Sequence, residues 1–275
     1  MTQHLVQDLD LTYLSPPVLA AARNFADLKY EVDVAGRRCP SDLPNDLHGR
    51  LSGGEYDGPY GGETFINNIL PFMPFAPNIN YEELGVKYAP ISNTLGCSWR
   101  WWPDNCKGDE EHIISQITSA EYGKDAYYYF IRELGIIYAS EGKNRVNFCR
   151  HHKIEKIPVS VKLFHYPAAN SIAVYYVNSP IGTEVIAVLN GQYLQRINHI
   201  DYALPLLNAY GVKVYTEWPT RFPSFEMIYQ HAYYAKVNEI FSAHTIDLAK
   251  VHTRESSHSS KQKGFLHILL GALLK

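Results

Sequence analysis

One stretch constrains this chain more tightly than any other. Residues 136–140 (Ile136, Ile137, Tyr138, Ala139, Ser140) read as a short apolar strand, residues 141–145 as a tight turn through Gly142, and residues 146–153 as a helix. Residues 157–161 (Ile157, Pro158, Val159, Ser160, Val161) then read as the next strand. The apolar period passes from short run to helical spacing and back within about 25 residues, which fixes strand, turn and helix together.

The rest of the chain is read outward from that unit. Upstream, the pattern predicts a helix over 110–117 and a second over 125–134, with Asp125 as N-cap and Gly135 as the stop. A strand is expected over 86–91, and the prolines at 71, 74, 77 and 90 keep 70–92 mostly non-helical. Residues 1–60 are expected to be mostly irregular apart from a helix over 17–28 behind Ser15 and Pro16. Downstream, 172–177 and 184–189 read as paired strands, Asn190-Gly191 is a hairpin signal, and 193–197 returns. A short helix over 204–209, with Pro205 in its first turn and Gly211 closing it, leads to a strand over 212–215. Apolar residues at helical spacing over 225–251 predict one long helix with a break near His244. A polar linker over 252–264 and an apolar tail over 265–274 complete the chain. The tail is expected to dock on a core or on another subunit.

Composition sets outer limits. The chain has 275 residues, 46% of them hydrophobic, enough for one large domain or two small ones with a buried core. Tyr 21, Phe 11 and Trp 4, with only 19% charged residues, exclude a disordered chain. A net charge of -3 excludes a strongly basic nucleic-acid coat and leaves room for a local basic patch. No apolar run reaches the roughly 18 residues that span a bilayer, so no membrane partner is expected. The N-terminal residues lack a basic start and an unbroken apolar run, so no secretory signal is read there and a cytoplasmic protein is expected. Cys39, Cys97, Cys106 and Cys149 form no Cys-x-x-Cys pair; a Cys97–Cys106 bridge across a short loop is one reading, and four reduced thiols, as a reducing compartment favours, is the preferred one.

Chemistry is sought first at the turn. A strand that ends in glycine and opens a helix aims backbone N–H groups at one spot, where the helix dipole favours an anion. Gly142 lets the chain turn and a ligand approach; Lys143 and Arg145 add positive charge, and Arg145 is able to grip phosphate oxygens in bidentate fashion. Asn144 donates or accepts. Glu141 is a candidate metal ligand or base. An ordinary helix start with solvated charges is the competing reading of the same residues. Three other features carry weaker signals. The glycine run over 53–62 lacks the Gly-Lys-Ser/Thr ending of a phosphate loop and reads as a surface turn or flap. Trp99, Arg100, Trp101 and Trp102 read as a core plug or as a base-stacking loop. Cys149 and His152 share a helix face at zinc-compatible spacing, and a core cysteine beside surface histidines is the plainer reading.

The motif Ser140-Glu141-Gly142-Lys143-Asn144-Arg145, a short helix, then Lys156-Ile157-Pro158-Val159-Ser160-Val161 resembles the ParB/sulfiredoxin superfamily over residues 86–165. Members of that group carry a strand, a Gly-x-His/Asn/Arg-Arg turn, a helix and an Ile-Pro-Val strand. The resemblance implies an α+β fold with a ParB/sulfiredoxin-like mixed sheet core at 86–180. Around it would lie an irregular N-terminal region at 1–85, a hairpin and helical extension at 181–251, and a linker with an apolar C-terminal helix at 252–275. It further implies that Ser140, Gly142, Lys143, Asn144 and Arg145 bind a nucleoside triphosphate, ATP or CTP, with Mg²⁺ held by Glu141. Glu141 and Arg145 would then be the catalytic pair. The group includes CTP-switched DNA clamps, ATP-using sulfinic acid reductases, free-serine kinases and reported DNases, and fold does not choose among them. Lys143 and Asn144 stand where the reductases resemble Cys-His, so reductase activity is not expected. No Gln-x-Arg box precedes residue 135, and a hairpin follows where the clamps continue into a helix-turn-helix. The leading expectation is NTP hydrolysis or phosphoryl transfer linked to DNA processing. A metal-dependent DNA nuclease is the second reading. A non-enzymatic interaction module, self-associating through the C-terminal apolar segment, is the third.

Overall fold

A computed structural model describes residues 6–39, 42–48, 60–73, 81–97, 102–179, 182–234 and 245–251. The elements run β1 (Gln7–Asp8), α1 (Pro16–Arg38), α2 (Asn45–His48), α3 (Gly62–Ile69), β2 (Glu82–Pro90), β3 (Thr94–Leu95) and α4 (Glu110–Ile117). They continue through β4 (Tyr127–Ile131), β5 (Ile136–Ala139), α5 (Lys143–His151), β6 (Lys156–Phe164), β7 (Ile172–Ser179), β8 (Gly182–Leu189) and β9 (Tyr193–Arg196). The last are α6 (Ile200–Tyr210), β10 (Lys213–Tyr215), α7 (Phe225–Tyr234) and β11 (Ile246–Asp247). The protein is therefore α+β, with two mixed sheets. The first has the strand order β1-β2-β6-β4-β5-β3 and the second β10-β7-β8-β9-β11. No helix among the described residues is long and apolar enough to cross a membrane.

The 136–161 unit folds as its pattern requires. β4 pairs antiparallel with β5 and parallel with β6, so the two strands joined by α5 flank β4 in the sheet. α5 lays Val146, Phe148 and Cys149 against Tyr128, Phe130, Ile137, Ala139, Ile157, Val159 and Val161, which seals one face. The opposite face meets α1, α3 and α6 through Leu95, Ile131, Ile136 and Phe164. That same core takes Val174, Val185, Ala187 and Leu189 from the second sheet, so one apolar body joins the two sheets.

Three expectations are corrected. Residues 125–134 are not a helix: Tyr127–Ile131 is β4, with Tyr127 exposed, Tyr128 buried, Tyr129 half-buried and Phe130 buried. Aromatic and β-branched side chains suit a pleated surface, and two neighbouring strands supply the hydrogen bonds a helix would have made locally. Gly135 (φ +67) then closes the reversal into β5, donating its N–H to Ile131 O at 2.9 Å. The first 60 residues are less irregular than expected, because α1 runs ten residues beyond 28 to Arg38, burying Val32, Asp33 and Gly36. The long helix expected over 225–251 does not reach its end: α7 covers Phe225–Tyr234, and Ile246–Asp247 pairs instead with β9. Asp247 stabilises that course by accepting from Gln192 Nε2 at 3.1 Å and from the Ala249 N–H at 3.1 Å.

The hairpin expected at Asn190-Gly191 is present, with both residues left-handed (φ 54 and 67) between β8 and β9. All four cysteines are free thiols, three of them buried. The features at Trp99, Arg100, Trp101, most of the glycine run, the 252–264 linker and the apolar tail lie outside the described residues. Trp102 is described, with the Arg37 guanidinium 5.9 Å from its ring.

Candidate phosphate-binding turn

Gly142 is the residue on which the turn depends. It sits left-handed (φ 76) as the N-cap of α5, a conformation that favours glycine. A Cβ there would stand 3.1 Å from Ala126 Cβ and 3.3 Å from Arg145 Nε. Backbone hydrogen bonds pin the turn to β4: Ser140 and Glu141 both donate their N–H to Tyr127 O, at 2.9 and 3.2 Å. On the other side Lys143 O accepts the Cys97 N–H at 3.0 Å, tying the start of α5 to the chain after β3. Gly96 makes that approach possible, since a Cβ there would lie 2.6 Å from Lys143 O and 2.4 Å from Val146 Cβ.

All six predicted site residues therefore fall on one short bend, but their side chains do not converge. Glu141 and Lys143 are exposed; Ser140, Asn144 and Arg145 are half-buried. Lys143 reaches towards the start of α3, where its Cδ lies 4.0 Å from the point a Cβ on Gly61 would occupy. Arg145 runs the other way, its Nη1 donating to Tyr122 O at 3.3 Å. The two cations thus flank the bend, one on each side.

The electrostatics of α5 run against its dipole at this end. Its first turn holds no acidic residue and begins with Lys143 and Arg145, while Arg150 and His151 occupy its last turn. Cations at a helix N-terminus oppose the partial positive charge there, and an anion placed between them relieves the conflict. Glu141 supplies one carboxylate beside the bend. Among the described residues no three His, Cys, Asp or Glu side chains gather into a metal cluster. A single exposed carboxylate is what Mg²⁺ takes from a protein when phosphates supply its remaining charged ligands, so Glu141 fits that role.

Several groups around the bend escaped the sequence reading. Lys29, Asp33 and Asn147 form a buried polar network behind α5: Lys29 pairs with Asp33, and Asn147 Nδ2 donates to Asp33 Oδ2 at 2.8 Å. Burial pushes the Asp33 carboxyl up, against the opposing pull of Lys29 and Asn147. The signal was present, for Lys29 and Asp33 fall on the apolar stripe of α1 with Phe25, Ala26 and Val32. Cys97 lies near this network, its thiol pushed up to about 11 by burial. Cys149 is fully buried and His152 packs on Phe148 with ring centroids 4.3 Å apart, so the pair is built into the core packing. A cavity of about 630 Å³ lies on the second sheet, lined by residues such as Gln192, Arg221, Phe222 and Leu248, none of which belongs to the bend.

Set against family models, curated proteins and solved structures, the chain matches none. The resemblance to the ParB/sulfiredoxin group accordingly rests on residues 140–145 and 156–161.

Proposed function

We propose that the bend at Ser140–Arg145 binds the phosphates of a nucleoside triphosphate, in a ParB/sulfiredoxin-like core that hydrolyses the nucleotide or transfers its phosphoryl group in the service of DNA processing. The observation that carries the reading is the left-handed Gly142 opening α5 between two cations with no acid in the first turn. The Ser140, Glu141 and Arg145 N–H groups are already bonded within the protein, so a phosphate would meet the Gly142 and Lys143 N–H groups, a favourable dipole and two charged side chains from opposite sides.

Each residue has a distinct task in this reading. Lys143, exposed at the end of a four-carbon stem, meets the outer phosphate as a point charge. Arg145 must exchange its bond to Tyr122 O for phosphate oxygens, and the fork of its guanidinium then orients them. Glu141 holds Mg²⁺ or accepts the proton of the attacking hydroxyl. When bound with the phosphates, Mg²⁺ supplies charge neutralisation at the oxygens. Asn144 and Ser140 hydrogen-bond the phosphate edge.

Isothermal titration of the full chain with ATP and CTP, each with and without Mg²⁺, tests the reading. Wild type binds at least one of them. Lys143→Ala and Arg145→Ala each weaken that binding by about tenfold or more, the worth of one charge-assisted contact. Equal affinity for wild type and both variants overturns the proposal.

A further inference from the structure

The first sheet turns one half of a face to solvent, and that half is paved with tyrosine. The register places Tyr127 opposite Ser160, and Tyr129 opposite both Tyr138 and Lys162, so these side chains share a face with Ile131, Ile136 and Phe164. The far end of the face is covered: Ile131, Ile136 and Phe164 are buried in the core shared with α1, α3 and α6. The near end is open, with Tyr127 44% and Tyr81 40% exposed. Tyr129 stacks on Tyr138 at 5.1 Å between centroids and meets Tyr81 at 5.0 Å, which makes a continuous aromatic row. Among the described residues the Tyr127 ring makes no ring contact of its own.

Tyr127, two residues before Tyr129 on the same strand face, extends this tyrosine face towards the phosphate bend. Tyr127 O accepts the N–H of both Ser140 and Glu141, so Tyr127 is the cross-strand neighbour of the first residue of the bend, about 5 Å away. Lys143 approaches from the same side, beside Gly61, and Gly62 packs against Tyr138 so closely that a Cβ would stand 2.9 Å from Tyr138 Cβ. Burial is the main cause that raises the phenols of Tyr81 and Tyr138, so both rings stay neutral. Tyr138 is the buried inner end of the row, Tyr129 is half-buried, and Tyr81 and Tyr127 are the exposed rings of this face. What sets this face apart is its position beside a cationic bend; Lys162 on the same face is paired with Glu83 at 3.7 Å.

We propose that the tyrosine face seats the base of the nucleotide whose phosphates lie at the bend, with the exposed Tyr127 stacking on the base. The inference rests on the proposed phosphate site and assigns the other end of its ligand. Stacking uses the π-face that every base presents, so the seat tolerates purine and pyrimidine alike. It also places the ligand on the tyrosine face of the sheet, opposite the face that α5 covers.

Titrations with ATP, CTP and inorganic tripolyphosphate separate the two ends. Tyr127 is exposed, so Tyr127→Leu folds as wild type does, and far-UV circular dichroism checks this. Tyr127→Leu weakens ATP and CTP by about tenfold or more and leaves tripolyphosphate within about twofold; Tyr127→Phe keeps wild-type affinity for all three. Tyr129→Leu is the second variant, with the same split expected in smaller measure. ATP or CTP unaffected by Tyr127→Leu, or weakened no more than tripolyphosphate, overturns the base seat while the phosphate site stands. Wild type that binds neither ATP, CTP nor tripolyphosphate overturns both.

Discussion

At the scale of single residues, the bend is fixed by what small side chains allow. Gly96 lies so close to α5 that one added methyl group must displace Val146 or the Lys143 carbonyl. Gly96→Ala is expected to cost about 1–3 kcal/mol, seen as a lower urea midpoint at unchanged m-value, and to weaken nucleotide binding along with stability. The thiols make a separate prediction. Cys39 is exposed, whereas burial holds Cys97 and Cys149 up at about 11 and about 12 and buries Cys106 as well. The thiolate is the reactive form, so a thiol reagent at pH 8 labels Cys39 alone in the native protein and all four after denaturation. Labelling of Cys97 at pH 8 at the Cys39 rate contradicts the placement. The identities at 140–145 were legible in the sequence. The divergence of Lys143 and Arg145 was not, because it depends on α3 and on the chain before β4, both remote in sequence from the bend.

At the scale of elements, α1 carries its own internal ion pair into the core, Lys29 and Asp33 one turn apart and both nearly inaccessible. Removing one partner strands a buried charge, so Lys29→Met should destabilise by about 3–5 kcal/mol. The double variant Lys29→Met/Asp33→Leu should recover most of that loss, since neither charge remains. The pH dependence of Lys29→Met has a defined sign. Burial raises the Asp33 pKa above its ordinary 3.8, and losing Lys29 removes a group that lowered it. A carboxyl with a raised native value favours folding below 3.8 and loses that contribution as pH rises through the native value. Urea midpoints of Lys29→Met should therefore fall from pH 4 to pH 8 relative to wild type; a parallel profile counts against a stranded Asp33. β4 shows the opposite balance between local preference and context. Its Tyr-Tyr-Tyr-Phe-Ile run is compatible with helix or strand when read alone. Pairing on both sides, with β5 and β6, decides for strand.

At the scale of the whole molecule, a single apolar body contains Leu95, Ile131 and Ile136 from the first sheet and Val174, Val185 and Leu189 from the second, with α1, α3 and α6 between them. Elements that share one core lose it together, so near-UV and far-UV circular dichroism should report one coincident thermal transition. Two separated transitions would mean that the sheets hold independently. By itself the sequence determined the local features: the glycine turn at 142, the helix that follows it, the Asn190-Gly191 hairpin and the apolar runs that form β7 and β8. Each depends on backbone preference and on neighbours within a few residues, which a linear pattern records. The tertiary structure alone decided that β4 is a strand, that the 225–251 segment ends by pairing with β9, and that the rings of Tyr81, Tyr129 and Tyr138 meet in one row. Those outcomes rest on hydrogen bonds and ring contacts between residues up to about sixty positions apart, and no local period encodes such meetings.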